Sequence, residues 1–345
     1  MREATGHSAK TIHRMLEFSF QKGGFQRNER RPLETDVLIL DEASMIDTVL
    51  MYHLVKAVPS KATLILVGDV NQLPSVGAGN VLNDIIDSET LPVVRLTDIF
   101  RQARQSRIIT NAHRINHGLL PEVSPSTGGV EDFYFIEQED PDQVVNIIIE
   151  LVSRRIPNRF KMDPLEDIQV LSPMHKGTVG TENLNNKLRE VLNRSSQEIT
   201  RAGRILRLGD KVMQIKNNYE KEVFNGDIGR ITTMNGERQE LAITFDGIAV
   251  PYGYTELDEV MPAYAISVHK AQGNEYSAVV LPLLSQHYLL LQRNLIYTAV
   301  TRGKRLVVIV GSKKALAIGI RNAKVLKRHT FLAERLVEFA KRTPL

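Results

Sequence analysis

Residues 37–44 read Val37-Leu38-Ile39-Leu40-Asp41-Glu42-Ala43-Ser44. Four apolar residues without a break suit a strand covered on both faces of a parallel sheet. The two carboxylates that follow would leave the sheet edge together. Adjacent acids there suit Mg²⁺ and water: one holds the metal and the other polarises an attacking water. The competing reading is structural, because Asp and Glu also favour helix N-termini. No stretch of the chain fits G-x-x-x-x-G-K-[ST], the loop that cradles phosphates. The one Gly-Lys pair, Gly303-Lys304, is followed by Arg305.

Working outward, further apolar runs at 63–67, 93–96, 169–171, 278–281 and 306–310 alternate with helical patterns at 48–58, 144–152, 181–192 and 330–341. That alternation predicts α/β layering with parallel sheets. Thr330 is the expected N-cap of the last helix. Between 201 and 250 the pattern changes to short strands at 211–215, 228–233, 241–245 and 248–250. Asn225-Gly226-Asp227, Asn235-Gly236 and Asp246-Gly247 supply the turns. This is expected to be a small antiparallel barrel inserted into the second α/β unit. Segments 21–31 and 124–129 read as surface loops.

With 345 residues the chain can bury two or three cores, and its 42% hydrophobic and 24% charged content is ordinary for a globular protein. It has no cysteine, which excludes disulfides and thiolate metal sites and fits a reducing cytoplasm, the expected compartment. No window is long and apolar enough to span a membrane, and the first residues lack a secretory core. The formal charge of +4 permits a polyanionic partner.

More motifs carry nucleotide chemistry. Leu64-Ile65-Leu66-Val67-Gly68-Asp69-Val70-Asn71-Gln72-Leu73-Pro74 is again a strand ending in a polar turn. The Gln72 amide can donate to a phosphate oxygen and accept from water at once; a capped βα turn is the structural alternative. Arg101 and Arg302 can neutralise the charge of a phosphoryl transition state, or can be ordinary surface ion pairs. In Ser267-Val268-His269-Lys270-Ala271-Gln272-Gly273-Asn274-Glu275, the residues Ser267, His269 and Lys270 can hold a phosphodiester backbone, while Gln272, Gly273 and Glu275 can face a nucleotide. The alternative there is a polar loop with a glycine turn.

In order and wording, Asp41-Glu42-Ala43-Ser44, Gly68-Asp69-x-x-Gln72-Leu73-Pro74, Phe100-Arg101-Gln102, His269-Lys270-Ala271-Gln272-Gly273-x-Glu275 and Tyr297-Thr298-Ala299-Val300-Thr301-Arg302 resemble successive motifs of superfamily 1 helicases, specifically the RecD-like, 5′ to 3′ branch. Ala9-Lys10-Thr11-Ile12-His13-Arg14 resembles that branch's early segment. The resemblance implies two RecA-like P-loop NTPase lobes that clamp ATP, the first incomplete, and an SH3-like β-barrel in the second. It divides the chain into 1–95, the later part of the first lobe; 96–200 with 251–345, the second lobe; and 201–250, the barrel. Asp41 would serve Mg²⁺, Glu42 would activate water, Gln72 would sense the γ-phosphate, and Arg101 and Arg302 would reach it. Gln102, Gln272, Gly273 and Glu275 would lie near the nucleotide. Thr11, His13, Pro74, Ser267 and His269 would lie near the DNA, with Phe224 and Asn225 of the barrel as further contacts.

The implied activity is ATP-driven movement on single-stranded DNA and at duplex junctions, of the repair and recombination type. The family's phosphate loop precedes the segment with which this chain opens. The chain is therefore expected to be a C-terminal portion that needs the missing N-terminal part, to show negligible DNA-stimulated ATPase alone, and to lack a central strand of its first sheet. The second lobe, from about residue 96 to 345, is expected to fold alone. The other readings are a non-catalytic DNA-binding or regulatory remnant and an RNA helicase of the same superfamily. Nuclease, membrane and metal-storage roles find no support.

Overall fold

The structure is a computed structural model and describes residues 6, 9–19, 21, 23–97, 105–123, 131–201, 203–323 and 328–342. The chain forms two compact units, one of residues 1–98 with 324–345 and the other of residues 99–323. Among the described residues no helix is long and apolar enough to cross a membrane.

The first unit opens with a short helix α1 (Ile12–Met15) and a small hairpin, β1 (Phe18–Ser19) with β2 (Gly24–Phe25). Strands β3 (Val37–Leu40) and β4 (Thr63–Leu66) then pair in parallel, Val37 opposite Thr63 and Leu40 opposite Leu66. Helix α2 (Thr48–Ala57) starts at Asp47, whose carboxylate accepts from the Leu50 N–H at 2.8 Å; α3 is Val81–Asp87. Leu38, Leu40, Ile46, Leu54, Ala57 and Leu82 form the core. The expectation of a strand buried on both faces is corrected here. Successive side chains point to opposite faces, and Val37 and Ile39 stay 53% and 47% exposed. The run at 93–96 is not a strand: it finds no ladder partner among the described residues, and Val94 and Leu96 lie open to solvent.

In the second unit α4 (Arg107–Asn116) precedes β5 (Phe133–Glu137). Helix α5 (Pro141–Glu150) runs on through a π-helical turn into Ile156–Phe160, and β6 (Ile168–Ser172) and α6 (Thr181–Leu192) follow. After the β insertion come β14 (Ala265–Ser267), β15 (Tyr276–Leu283), α7 (Arg293–Thr301), β16 (Gly303–Gly311) and α8 (Lys313–Arg321). The five strands make one parallel sheet in the order β14-β6-β15-β16-β5. Its apolar runs are covered, as the sequence predicts: Val170, Ala278, Val280 and Leu306 are fully buried.

The insertion is a hairpin, β7 (Glu198–Arg201) with β8 (Arg204–Arg207), and a five-stranded antiparallel sheet. That sheet comprises β9 (Lys211–Gln214), β10 (Ile228–Asn235), β11 (Glu240–Phe245), β12 (Ile248–Gly253) and β13 (Val260–Pro262), in the order β12-β11-β10-β9-β13. Asp246 and Gly247 both adopt positive φ, +45° and +83°, the geometry of a two-residue hairpin turn. Leu206, Val212, Ile231, Ile243 and Tyr252 give the insertion its own core. Its strands reach beyond the expected 201–250 at both ends, because β7 and β13 complete the layers around that core.

The expected placement of 251–345 in one lobe is also corrected. The closing helix, Leu332–Arg342, belongs with the first unit. Arg328 and Thr330 tie the tail there by hydrogen bonds, and Thr330, the expected N-cap, gives its hydroxyl to Asp84 at 2.6 Å instead. Of the expected loops, 124–129 lies outside the described residues, and 21–31 contains β2.

Candidate functional sites

In the first unit two turns leave the same end of the β3–β4 pair. The pairing extends past the strands: Val67 N–H donates to Leu40 and Ala43 N–H donates to Val67, both at 2.8 Å. Asp41-Glu42 and Gly68-Asp69 therefore emerge side by side. Glu42 sits at φ +51°, a left-handed conformation that costs a non-glycine residue about 1 kcal/mol. Gly68 is required by crowding, since a Cβ there would come within 2.9 Å of Leu82 and 3.0 Å of the Ser44 nitrogen. Asp41 is exposed, and its Oδ1 accepts from the Glu42 N–H at 3.0 Å. Asp69 organises the other turn, accepting from the Asn71 N–H at 2.9 Å and the Gln72 side-chain amide at 3.4 Å. Leu73 is buried and anchors Pro74.

The Ser44 hydroxyl is buried and has no hydrogen-bond partner among the described residues. A buried polar atom of this kind costs free energy until something pairs with it. It lies in the turn that carries the two carboxylates, and it fits a metal-bound water or a phosphate oxygen. Mg²⁺ usually takes one or two carboxylates, waters and substrate phosphates rather than a protein cage. Asp41 and Glu42 meet that requirement, and the described residues hold no cluster of three or more acidic or histidine groups that would form a cage.

Thr11 and His13 stand at the start of the unit. The Thr11 hydroxyl caps α1, accepting from the Arg14 N–H at 3.3 Å. The His13 ring packs on Phe18 and Phe25 with centroids 5.8 and 5.3 Å away, and burial holds it below the usual histidine range.

In the second unit, Arg101 and Gln102 lie outside the described residues. Arg302, at the end of α7, is 4% exposed and donates to the Asn274 carbonyl at 3.2 Å. This brings it to the loop that carries Gln272, Gly273 and Glu275. Gln272 is buried, whereas Gly273 has φ +78° and open space around it. Glu275 pairs with Lys304 at 3.0 Å on the surface. Ser267 caps the turn Val268–Ala271, accepting from the Lys270 N–H at 3.3 Å.

His269 is partly open to solvent. The packing of its other side and the nearby His175 hold it below the usual range. Burial, and then Arg204, likewise depress Lys270. His175 and Arg204 were not singled out from the sequence. The signal for the first is Pro173-Met174-His175-Lys176-Gly177 after a buried strand; Arg204 carries none, because it arrives from the inserted hairpin β7–β8. Together the four make a basic cluster suited to an anion.

The insertion joins this surface. Asn274 donates to the Gly226 carbonyl at 3.3 Å, which sets the turn bearing Phe224 and Asn225 against the Gln272–Glu275 loop. The turn is held by Asp227, accepting from the Phe224 N–H at 2.7 Å, and by Asn217, accepting from the Asn225 N–H at 2.9 Å. Phe224 meets Tyr219 edge-on at 6.0 Å.

An α/β chain of this layout, with motif turns at the strand ends and an SH3-like insertion, has the architecture of a helicase-type motor. Residues 1–78 match the AAA domain family, 184–245 the ATP-dependent RecD-like DNA helicase SH3 domain, and 262–310 the UvrD-like helicase C-terminal domain. The chain is 35% identical over 334 residues to the ATP-dependent RecD2 DNA helicase of Deinococcus radiodurans, covering 97% of this chain and 44% of that protein. It is 28% identical to the RecBCD enzyme subunit RecD of Mycolicibacterium smegmatis, covering 97% of this chain and 60% of that one. A solved structure of two coordinating Pif1 helicases, described as a basis for unwinding at forked dsDNA, shares the fold. Its TM-score is 0.52 at 16% identity, over 96% of this chain and 82% of that one. The chain is similar to RecD-like superfamily 1 helicases over nearly all of its own length, and it spans about half the length of these two curated relatives.

Proposed function

We propose that the chain provides the hydrolytic carboxylates and much of the strand-binding surface of an ATP-driven motor on single-stranded DNA. The observation that carries this reading is the pair of adjoining turns: Asp41 and Glu42 on one, Asp69 and Gln72 on the other, with the orphaned Ser44 hydroxyl among them.

Mg²⁺, when bound, would offset the negative charge of the phosphates. Asp41 would hold it. Glu42 would take the proton of the attacking water, its left-handed backbone fixing where the carboxylate points. Gln72 would hold a phosphate oxygen and that water together. Arg302, with Arg101, would balance the charge of the transferred group, and Gln102, Gln272, Gly273 and Glu275 would bind the rest of the nucleotide. Ser267, His269 and Lys270 would hold the DNA backbone, joined by Phe224 and Asn225, where an aromatic ring can stack on a base. Thr11, His13 and Pro74 would extend the strand path.

With a phosphate-loop segment joined ahead of residue 1, Glu42→Gln is expected to lower DNA-stimulated ATP turnover at least about 100-fold while strand binding holds. Turnover equal to that of the unsubstituted protein would overturn the reading. The 345-residue chain alone is expected to bind single strands in a strongly salt-dependent way and to turn over ATP negligibly. Matched binding to DNA and RNA strands at one salt concentration separates the two substrates.

A further inference from the structure

The tail of the chain returns to the first unit and grips one loop. The Arg328 guanidinium donates through Nη1 to the Ser75 hydroxyl at 3.0 Å, the Gly77 carbonyl at 2.7 Å and the Gly79 carbonyl at 2.6 Å. Its Nη2 donates to the Ser75 carbonyl at 2.6 Å. The contact spans 253 positions of sequence. A planar fork with fixed donors suits a fixed set of carbonyls, and charged donors make the stronger hydrogen bonds.

The opposite side of the same loop has no room to move. The Ala78 carbonyl accepts from the Thr48 N–H at 2.9 Å. Gly77 and Gly79 lie so close to the first residues of α2 that a Cβ would overlap the Asp47 carboxylate and the Thr48 hydroxyl. Gly79 also sits at φ +105°, which glycine alone adopts without strain. The loop is thus clamped between the start of α2 and Arg328. It continues directly from Gln72-Leu73-Pro74, and α2 continues directly from the turn bearing Asp41, Glu42 and Ser44. Thr330 adds a second anchor for the tail, on Asp84 of α3.

We propose that Arg328 is a positioning residue for the Gln72–Pro74 turn: from the far end of the chain it sets the geometry through which strand binding alters nucleotide hydrolysis. This rests on the function proposed above. Fixing a turn from both sides restricts where its side chains can go, and Gln72 must hold its place to within about half an ångström to act on a phosphate.

The test uses the chain joined to a phosphate-loop segment, in three variants: Arg328→Ala, Arg328→Lys and Thr330→Val. The readout is the ratio of DNA-stimulated to basal ATP turnover. Misfolded molecules contribute to neither rate, so a merely structural loss leaves the ratio alone. Arg328→Ala is expected to lower it at least fivefold. Arg328→Lys should restore part of it, since one ammonium reaches some of the carbonyls but cannot span both arms of the fork. Thr330→Val should stay within twofold. Amide hydrogen exchange at residues 75–79 should quicken in Arg328→Ala. Stimulation in the unsubstituted protein with an unchanged ratio in Arg328→Ala would overturn this inference alone. No stimulation in the unsubstituted protein would remove the proposed function and this inference with it.

Discussion

Strand β3 reads Val37-Leu38-Ile39-Leu40 and strand β6 reads Ile168-Gln169-Val170-Leu171-Ser172. The first is the more apolar, yet it is half open: Val37 and Ile39 are 53% and 47% exposed. The second carries a glutamine and a serine and is buried throughout. Neighbours explain the inversion. Among the described residues β3 pairs with β4 alone, whereas β6 lies between β14 and β15 inside a five-stranded sheet. Gln169 pairs its amide with the Ala263 and Tyr264 carbonyls at 3.0 and 3.2 Å, which makes its burial tolerable. Burial follows from the layers around a strand, not from the strand's own composition.

The sharpest way to break this comparison is to place a charge in each sheet. Val280, fully buried in the middle of β15, becomes an unpaired buried carboxylate in Val280→Asp. The expected cost exceeds about 4 kcal/mol, enough to unfold the second unit. Ile39→Asp places the same group on an open face and should cost about 1 kcal/mol or less. Thermal melts of the two variants, followed by circular dichroism, would measure the gap. Equal losses would mean that the β3 face is covered after all. A corollary is that limited proteolysis should leave a core within residues 105–323, rather than one running to the end of the chain, because the tail packs with the first unit.

Much of this was legible in the sequence. The turns at 225–227 and 246–247 and the apolar runs of β6, β15 and β16 announced the layered sheet and its insertion, because local rules decide them. The motif blocks announced the family. Three things were not legible. The exposure of Val37 and Ile39 depends on which strands lie alongside. The return of Arg328 to Ser75–Gly79 is a contact between distant segments with no local signature. Arg204 comes near Lys270 only because an inserted hairpin folds back toward the 267–275 loop. Each is set by tertiary packing, which periodicity does not encode.

A second, smaller contrast concerns acids that organise turns. Asp210 is fully buried where the insertion meets the parallel sheet. It accepts from the Tyr264 hydroxyl at 2.8 Å, the Asn193 amide at 2.7 Å and the Arg207 N–H at 2.8 Å. Asp210→Ala strands these donors away from water, and a loss of about 2–4 kcal/mol in unfolding free energy is expected, read as a lower denaturant midpoint for the second unit. Asp69 holds a similar turn in the first unit but is half-exposed, so water can replace it. Asp69→Ala should cost about 1 kcal/mol or less. A loss at Asp69 as large as that at Asp210 would show that its turn is sealed from solvent.

A further effect is a dependence on pH, smaller than the losses at Val280 and Asp210, and it belongs to the second unit. Lys211 is buried beside Asp210 and donates to the Ile168 carbonyl at 3.2 Å. Burial pushes its ammonium down to about 8, against the opposing pull of Glu166, Asp163 and Asp167. The unfolded chain returns it to the ordinary lysine value near 10.4. Below about pH 8 both states hold the proton, so the penalty for burying the charge is constant. Between about pH 8 and 10 the folded state has released its proton while the unfolded state keeps most of its own. Stability must therefore rise with pH across that window, on the order of 1–2 kcal/mol. The window closes near pH 10, where unfolded tyrosines ionise before the buried Tyr252 and Tyr264, whose hydroxyls burial pushes up, and stability then turns down. Lys211→Met has no proton to release and should flatten the rise. Denaturant titrations of the second unit at pH 7.5, 8.5 and 9.5 would show it. An unchanged slope in Lys211→Met would assign the rise to another group and leave the lysine's burial without thermodynamic consequence.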